Sequence, residues 1–271
     1  MTETSKPRHG GARYHAGTNP FTRPAVLVGF LLLILAALLL AHQVIRRARG
    51  AEPDKPAAAK ADKKQADQGK KKDPHAWQNL FDGKTLKGWK VPKFGGEGKV
   101  EVKDGRIELN MGDTMTGITY AGKVPRTNYE IELEGMRLDG VDFFATTTFP
   151  VGKNCVSFVT GGWGGTVCGI SCVDFYDAAD NQTSKFMDFK NKKWYKFRAR
   201  VSDAKIECWV DKEQVVDLPR KGHKFDIRAE CDLCQPLGIS AWVTTGAVRS
   251  IRIRNLKPEE VKAAAKSLED Q

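Results

Sequence analysis

Apolar and polar residues alternate with period two along much of the chain between Val100 and Leu256. That period places successive side chains on opposite faces of an extended backbone, so each run predicts a strand with one buried face. Val100–Val102 and Arg106–Leu109 flank Asp104-Gly105, a pair suited to a tight hairpin. Tyr129, Ile131 and Leu133 alternate with Glu130, Glu132 and Glu134, which predicts a strand with an acidic outer face. Phe143–Phe149 and Cys155–Thr160 follow as strands. Trp194–Val201, Ile206–Val210 and Gln214–Leu218 come next, the last two joined by a turn at Asp211-Lys212. Leu237–Val243 and Val248–Leu256 close the series. Trp194 and Trp209 read as core residues. The pattern predicts an all-β fold, a two-sheet antiparallel sandwich of about a dozen short strands. Only the tail, residues 259–271 with Pro258 at its start, reads as helical, because Glu259 and Glu260 follow the proline in a first turn.

The stretch from Val141 to Thr183 breaks this regularity. It runs into Gly161-Gly162-Trp163-Gly164-Gly165, resumes, and ends in Asp174, Tyr176, Asp177, Asp180 and Asn181. A tryptophan between glycine pairs belongs on a loop, where a flat ring can meet a ligand; it can also lie over a sheet edge. Sugars present C–H faces that pack on indole, so Trp163 is the leading contact for a carbohydrate ligand. Tyr176, Asp177, Asn181 and Arg200 are further substrate-binding candidates, Arg200 through a guanidinium that polarises a ligand oxygen or simply meets solvent. Asp177, Asp180 and Asn181 offer oxygen ligands suited to Ca²⁺, or else cap turns.

The N-terminal part has a different pattern. Residues 1–24 form a basic arm. Ala25–Ile45 is an almost wholly apolar run of 21 residues without formal charge, long enough for one membrane span or signal anchor. A cleaved signal peptide is the alternative, with Ala48-Arg49-Gly50 resembling a cleavage site. Residues 46–75 are rich in Lys, Ala and Asp and lack large apolar side chains from Ala51 on, which predicts a disordered tether. Lys and Arg flank the apolar run almost equally, so charge does not orient it. Six cysteines, all C-terminal to residue 150, favour an extracytoplasmic domain.

The chain has a net charge of +11, with 44 Lys and Arg against 33 Asp and Glu. Much of the excess is in the arm and tether, not in residues 76–258. Nucleic acid is therefore excluded as a partner, since binding wants a basic cluster on the domain itself. Cys231-x-x-Cys234 and Cys168-x-x-x-Cys172 leave three readings open: a zinc site, local disulfides, or buried free thiols. His223 lies in the charged loop Lys221–Lys224 and reads as solvated. No Ser/His/Asp arrangement, P-loop or dinucleotide fingerprint is present.

The opening Asn79-Leu80-Phe81-Asp82-Gly83-Lys84-Thr85-Leu86-Lys87-Gly88-Trp89 resembles the start of the 3-keto-disaccharide hydrolase domain family. Gly238-Ile239-Ser240 and the closing Val248–Leu256 fit it too. The resemblance implies a jelly roll of the concanavalin A-like lectin/glucanase type over residues 76–258. It also implies a glycoside substrate oxidised to a ketone at C3. That ketone acidifies the C2 proton, so a base can remove it and the C1 substituent can leave. Asp142 and Asp174, on strands within the central stretch, are the catalytic candidates. Two function classes follow: a membrane-tethered carbohydrate-active hydrolase or lyase, and a non-catalytic lectin-like domain at the cell envelope.

Overall fold

The computed structural model describes residues 73–269. The arm 1–24, the apolar run 25–45 and nearly all of the tether 46–75 lie outside the described residues. Among those described, no helix is long and apolar enough to cross a membrane.

Two antiparallel sheets form a sandwich. The eight-stranded sheet runs in the order β13 (Glu213–Pro219), β12 (Lys205–Val210), β11 (Trp194–Val201), β6 (Tyr129–Gly140), β15 (Thr244–Asn255), β4 (Arg106–Leu109) and β3 (Val100–Lys103), with β1 (Gln78–Asn79) also on β15. The seven-stranded sheet runs β10 (Lys185–Phe186), β9 (Val167–Ser171), β8 (Asn154–Gly162), β7 (Thr146–Val151), β14 (Gly238–Trp242), β5 (Met115–Tyr120) and β2 (Trp89–Lys90). The core between them holds Tyr129, Ile131 and Leu133 from β6, Phe197 from β11, and Phe149, Phe158 and Ile239 from the facing sheet. Burial of such side chains is the main drive for the fold.

Local chemistry fixes the connections. Asp104 and Gly105 both take positive φ (49° and 75°), the conformation a two-residue hairpin requires. The expected strand Phe143–Phe149 begins only at Thr146. Its first residues leave the ladder because the Asp142 carboxylate accepts the Phe143 N–H at 2.7 Å, a local bond that competes with strand pairing. The C-terminal helix, Pro258–Glu269, begins at the expected proline. One element was not anticipated, a 3-10 helix over Ala229–Cys234.

One reading of the eight-stranded sheet needs correction. Trp194 and Trp209 are not core residues; both lie on its outer face. Arg249 covers Trp194 at 4.0 Å and Arg198 covers Trp209 at 3.9 Å. The glutamates of β6 form the expected acidic outer face, and arginines cover it. Glu130 is buried and binds Arg200 and Arg254, Glu132 binds Arg252, and Glu134 binds Arg249.

Candidate functional site

The outer face of the seven-stranded sheet is built differently. Alternation along β8 sends Val156 and Phe158 into the main core and Ser157 and Val159 to the opposite side. Register places Thr148 beside Ser157 and Ser157 beside Ser171, so three hydroxyls cross three strands in a row. The Thr148 and Ser157 hydroxyls are 2.9 Å apart and bonded. Loops and the 3-10 helix cover part of this face and leave a cavity of about 230 Å³. Thr146, Ser157, Val159 and Ser171 form its floor. Phe143, Trp163, Trp242 and Met115 are its apolar walls, and Asp142, Arg228, Glu230 and Cys231 bring polar groups to it.

The glycine-rich turn presents Trp163 as the sequence suggests. Gly161, Gly164 and Gly165 have positive φ, as does Trp163 itself (48°), a residue that is 44% exposed. Gly165 is required: a Cβ there would meet the Val141 carbonyl oxygen at 2.6 Å. Asp142 clamps this turn. Its Oδ2 accepts the Gly164 N–H at 3.1 Å while its own N–H donates to Thr244 Oγ1 at 3.0 Å. Beneath lies buried Arg137, which donates to Asn191 Oδ1 at 2.7 Å and to the carbonyls of Phe189 and Asp142. Burial holds the Arg137 guanidinium below its ordinary pKa. Val243, beside Trp242, is a further non-glycine residue at positive φ (42°). Such backbone costs roughly 1–3 kcal/mol per residue and tends to collect at functional sites.

Arg228 enters from the start of the 3-10 helix. Its Nη1 donates to Asp177 Oδ2; its Nη2 reaches Glu230 Oε1 at 2.8 Å and its Nε reaches Glu230 Oε2 at 3.3 Å. The guanidinium carbon is 5.9 Å from the centre of the Trp163 ring. The bond from Arg228 is the largest cause holding Glu230 below the usual carboxylate range, so Glu230 stays ionised. Cys172 donates its S–H to Asp177 Oδ1 at 3.5 Å; burial, and then that carboxylate, push its thiol up to about 12.

The candidates divide by place. Asp142 and Trp163 meet at the cavity, and Asp177 reaches it through Arg228. Asp174 stands at a hairpin tip, outside the cavity lining. Its Oδ2 is 2.7 Å from His223 Nδ1 and its Oδ1 accepts the Lys224 N–H at 2.7 Å; those bonds lower its pKa, the backbone bond most. His223, read as solvated, is thus tied to Asp174. Tyr176 is exposed beside it. Asn181 faces inward: its amide donates to the carbonyls of Ile170, Tyr176 and Asp177, and its Oδ1 accepts from Thr183. Arg200 lies on the other sheet, with its Nε 2.8 Å from Glu130 Oε2.

Of the three cysteine readings, the structure holds buried free thiols at all six positions. Among the described residues, no three His, Cys, Asp or Glu side chains converge as a metal site would need. The sequence reading missed Arg228, Glu230, Phe143 and Trp242. Trp242 could have been found, since it is in phase with Gly238 and Ser240 and out of phase with the core residues Ile239 and Ala241.

Several solved structures are similar to the chain at low identity. The carbohydrate-binding module CBM66 from Bacillus subtilis is 12% identical, with a TM-score of 0.39 over 62% of this chain and 96% of that one. Domain 4 of AbnA, a GH43 extracellular arabinanase from Geobacillus stearothermophilus solved with arabinotriose, is 16% identical, with a TM-score of 0.42 over 65% and 87%. The Crh5 transglycosylase is 13% identical, with a TM-score of 0.47 over 69% and 86%. No curated protein matches the chain. A family profile does match, over residues 76–254, and by it the chain belongs to the 3-keto-alpha-glucoside-1,2-lyase-like domain family.

Proposed function

We propose that the domain binds a glycoside in this cavity and, when the sugar carries a ketone at C3, eliminates its C1 substituent. One observation carries the reading: two indoles and a phenyl ring wall a cavity with a hydroxyl floor, and two carboxylates and a guanidinium line it. Flat apolar walls suit the C–H faces of a sugar ring, and the polar groups suit its hydroxyls.

Asp142 is the base in this reading. Each of its oxygens accepts one backbone N–H and keeps lone-pair capacity. It takes the C2 proton, and the C2–H electron pair moves into an enolate on the C3 oxygen. Arg228 uses three of its five N–H groups on Asp177 and Glu230, leaving two to stabilise that oxygen. The enolate collapses, a C1=C2 double bond forms, and the C1–O bond breaks. The leaving oxygen takes a proton from Asp142 or water.

The test incubates purified full-length protein with native and C3-oxidised disaccharides and follows products by mass. Turnover of the oxidised sugar alone, to an unsaturated ketone and a released alcohol, is the expected result. Asp142→Ala should slow it by about 10²–10⁴-fold, the usual contribution of a general base.

A non-catalytic, lectin-like domain is the second reading. The feature favouring it is that both cavity carboxylates already have protein partners, Asp142 the backbone and Glu230 an arginine. Sugar binding without turnover of the oxidised substrate would select it. In either case we propose that residues 25–45 anchor the chain and that the domain lies outside the cytoplasm. Protease added to intact cells should then release a fragment beginning between Ala51 and Pro74. Protection until the membrane is breached would refute that arrangement.

A further inference from the structure

Val173 and Tyr176 pair across a two-residue turn, their N–H and C=O groups bonding reciprocally at 3.0 and 2.9 Å. The turn residues, Asp174 and Phe175, have φ of 52° and 72°. Asn-Gly is the ordinary occupant of such a turn. Aspartate tolerates this backbone; phenylalanine is a costly choice, because its Cβ crowds the neighbouring carbonyl. Burial does not offset that cost, for Phe175 is 71% exposed and Tyr176 61%.

The tip is nonetheless firmly held. Asp174 binds His223 and the Lys224 N–H, and the Asp174 N–H donates to the Lys224 carbonyl at 2.8 Å. Asn181 fixes the Tyr176 carbonyl at 3.0 Å from below. Two aromatic rings are therefore displayed to solvent on a rigid, strained support. The support adjoins the cavity: Tyr176 precedes Asp177, which binds Arg228, whose guanidinium lies 5.9 Å from the Trp163 ring.

We infer that Phe175 and Tyr176 form an outer subsite that stacks on a later sugar ring of a glycan whose end occupies the cavity, so the ligand is an oligosaccharide longer than a disaccharide. This deepens the proposed function and rests on it. Exposed rings recognise the C–H face of a sugar without reading its substituents, which suits a repeating chain. Lys224 Nζ, 5.4 Å from the Phe175 ring, adds a donor for hydroxyls at the rim.

Calorimetric titration of full-length protein with native maltose and maltotetraose, and of the slow Asp142→Ala variant with their C3-oxidised forms, tests the inference. The tetrasaccharide should bind about tenfold tighter than the disaccharide, an increment that one stacked ring can supply. In the double variant Phe175→Gly, Tyr176→Ser that gain should vanish while disaccharide affinity stays unchanged. Its melting temperature should not fall, because glycine relieves the turn; a merely structural tip would lose stability instead. Equal affinity for both lengths in the wild type, or a double variant that keeps the gain, overturns the outer subsite and leaves the cavity reading intact. Failure of both lengths to bind overturns the cavity reading, and the subsite with it.

Discussion

On the eight-stranded sheet, the charged side chains facing outward are largely matched to one another. Glu132 holds Arg252, Glu134 holds Arg249, and Glu130 holds two arginines, while Arg249 also covers Trp194 and Arg198 covers Trp209. On the seven-stranded sheet, the outward phase is Thr146, Ser157, Val159 and Ser171 beneath a cavity walled by exposed Trp163 and half-buried Trp242. Both faces carry arginine, carboxylate and indole. On the first, arginines cover the rings, so their faces are spent within the fold. On the second, Arg228 is braced by Asp177 and Glu230 beside Trp163, and the ring remains open. The same residue types stabilise one face and equip the other; what differs is whether a partner covers the aromatic surface.

The largest expected effect breaks the first face. Glu130 is buried, and Glu130→Ala leaves Arg200 and Arg254 without its charge. Removing one member of such a buried network costs about 3–5 kcal/mol. Urea denaturation of the full-length protein should show that loss, with sugar affinity of the folded protein unchanged. A loss below about 1 kcal/mol would mean that this lattice is ornamental and that the contrast between the faces is false.

The next effect acts on the second face alone. Trp163→Ala should weaken sugar binding by about 1–3 kcal/mol, the scale for burying a large apolar side chain. Stability should change by no more than about 0.5 kcal/mol, as for an exposed position. Titration and melting, run on the same sample, separate the two. Unchanged affinity in a folded variant would make the glycine-rich turn structural.

These contrasts explain what the sequence could reveal. The sandwich is legible because period-two alternation is local: β6 and β11 each declare their buried face without reference to the rest of the chain. Trp194 was misread although its phase was visible, since it alternates with Lys196, Arg198 and Arg200 and against Tyr195 and Phe197. Hydrophobicity suggested core; phase pointed outward, and phase was right. Trp163 was legible because glycines mark a turn that must come close to something. Arg228 and Glu230 were not, because their segment has no period. Arg228 also acquires its setting from Asp177, 51 positions away. Asp174 carried the expected carboxylate, but its direction depends on Lys224 and His223, which no local pattern links to it.

The smallest effect concerns where the C-terminal helix joins the charged face. Glu260 Oε2 accepts the Lys257 N–H at 2.8 Å, as a capping carboxylate at the helix start does. The same side chain takes two bonds from Arg254, at 2.8 and 2.6 Å. These contacts, the Arg254 bond foremost, lower its pKa from 4.5 to about 2. A carboxylate depressed in the folded state binds its proton more weakly there than in the unfolded chain. Its contribution is therefore fully present above the unfolded value of 4.5 and is lost as pH falls from there toward about 2. Allowing for partial solvent screening, the contribution should be about 1–2 kcal/mol. Glu260→Gln should lower stability by that amount at pH 7, and the gap from wild type should close as the pH falls from about 4.5 toward 2. A gap that persists unchanged at a pH of about 2 would show that the helix start is held by shape and not by charge.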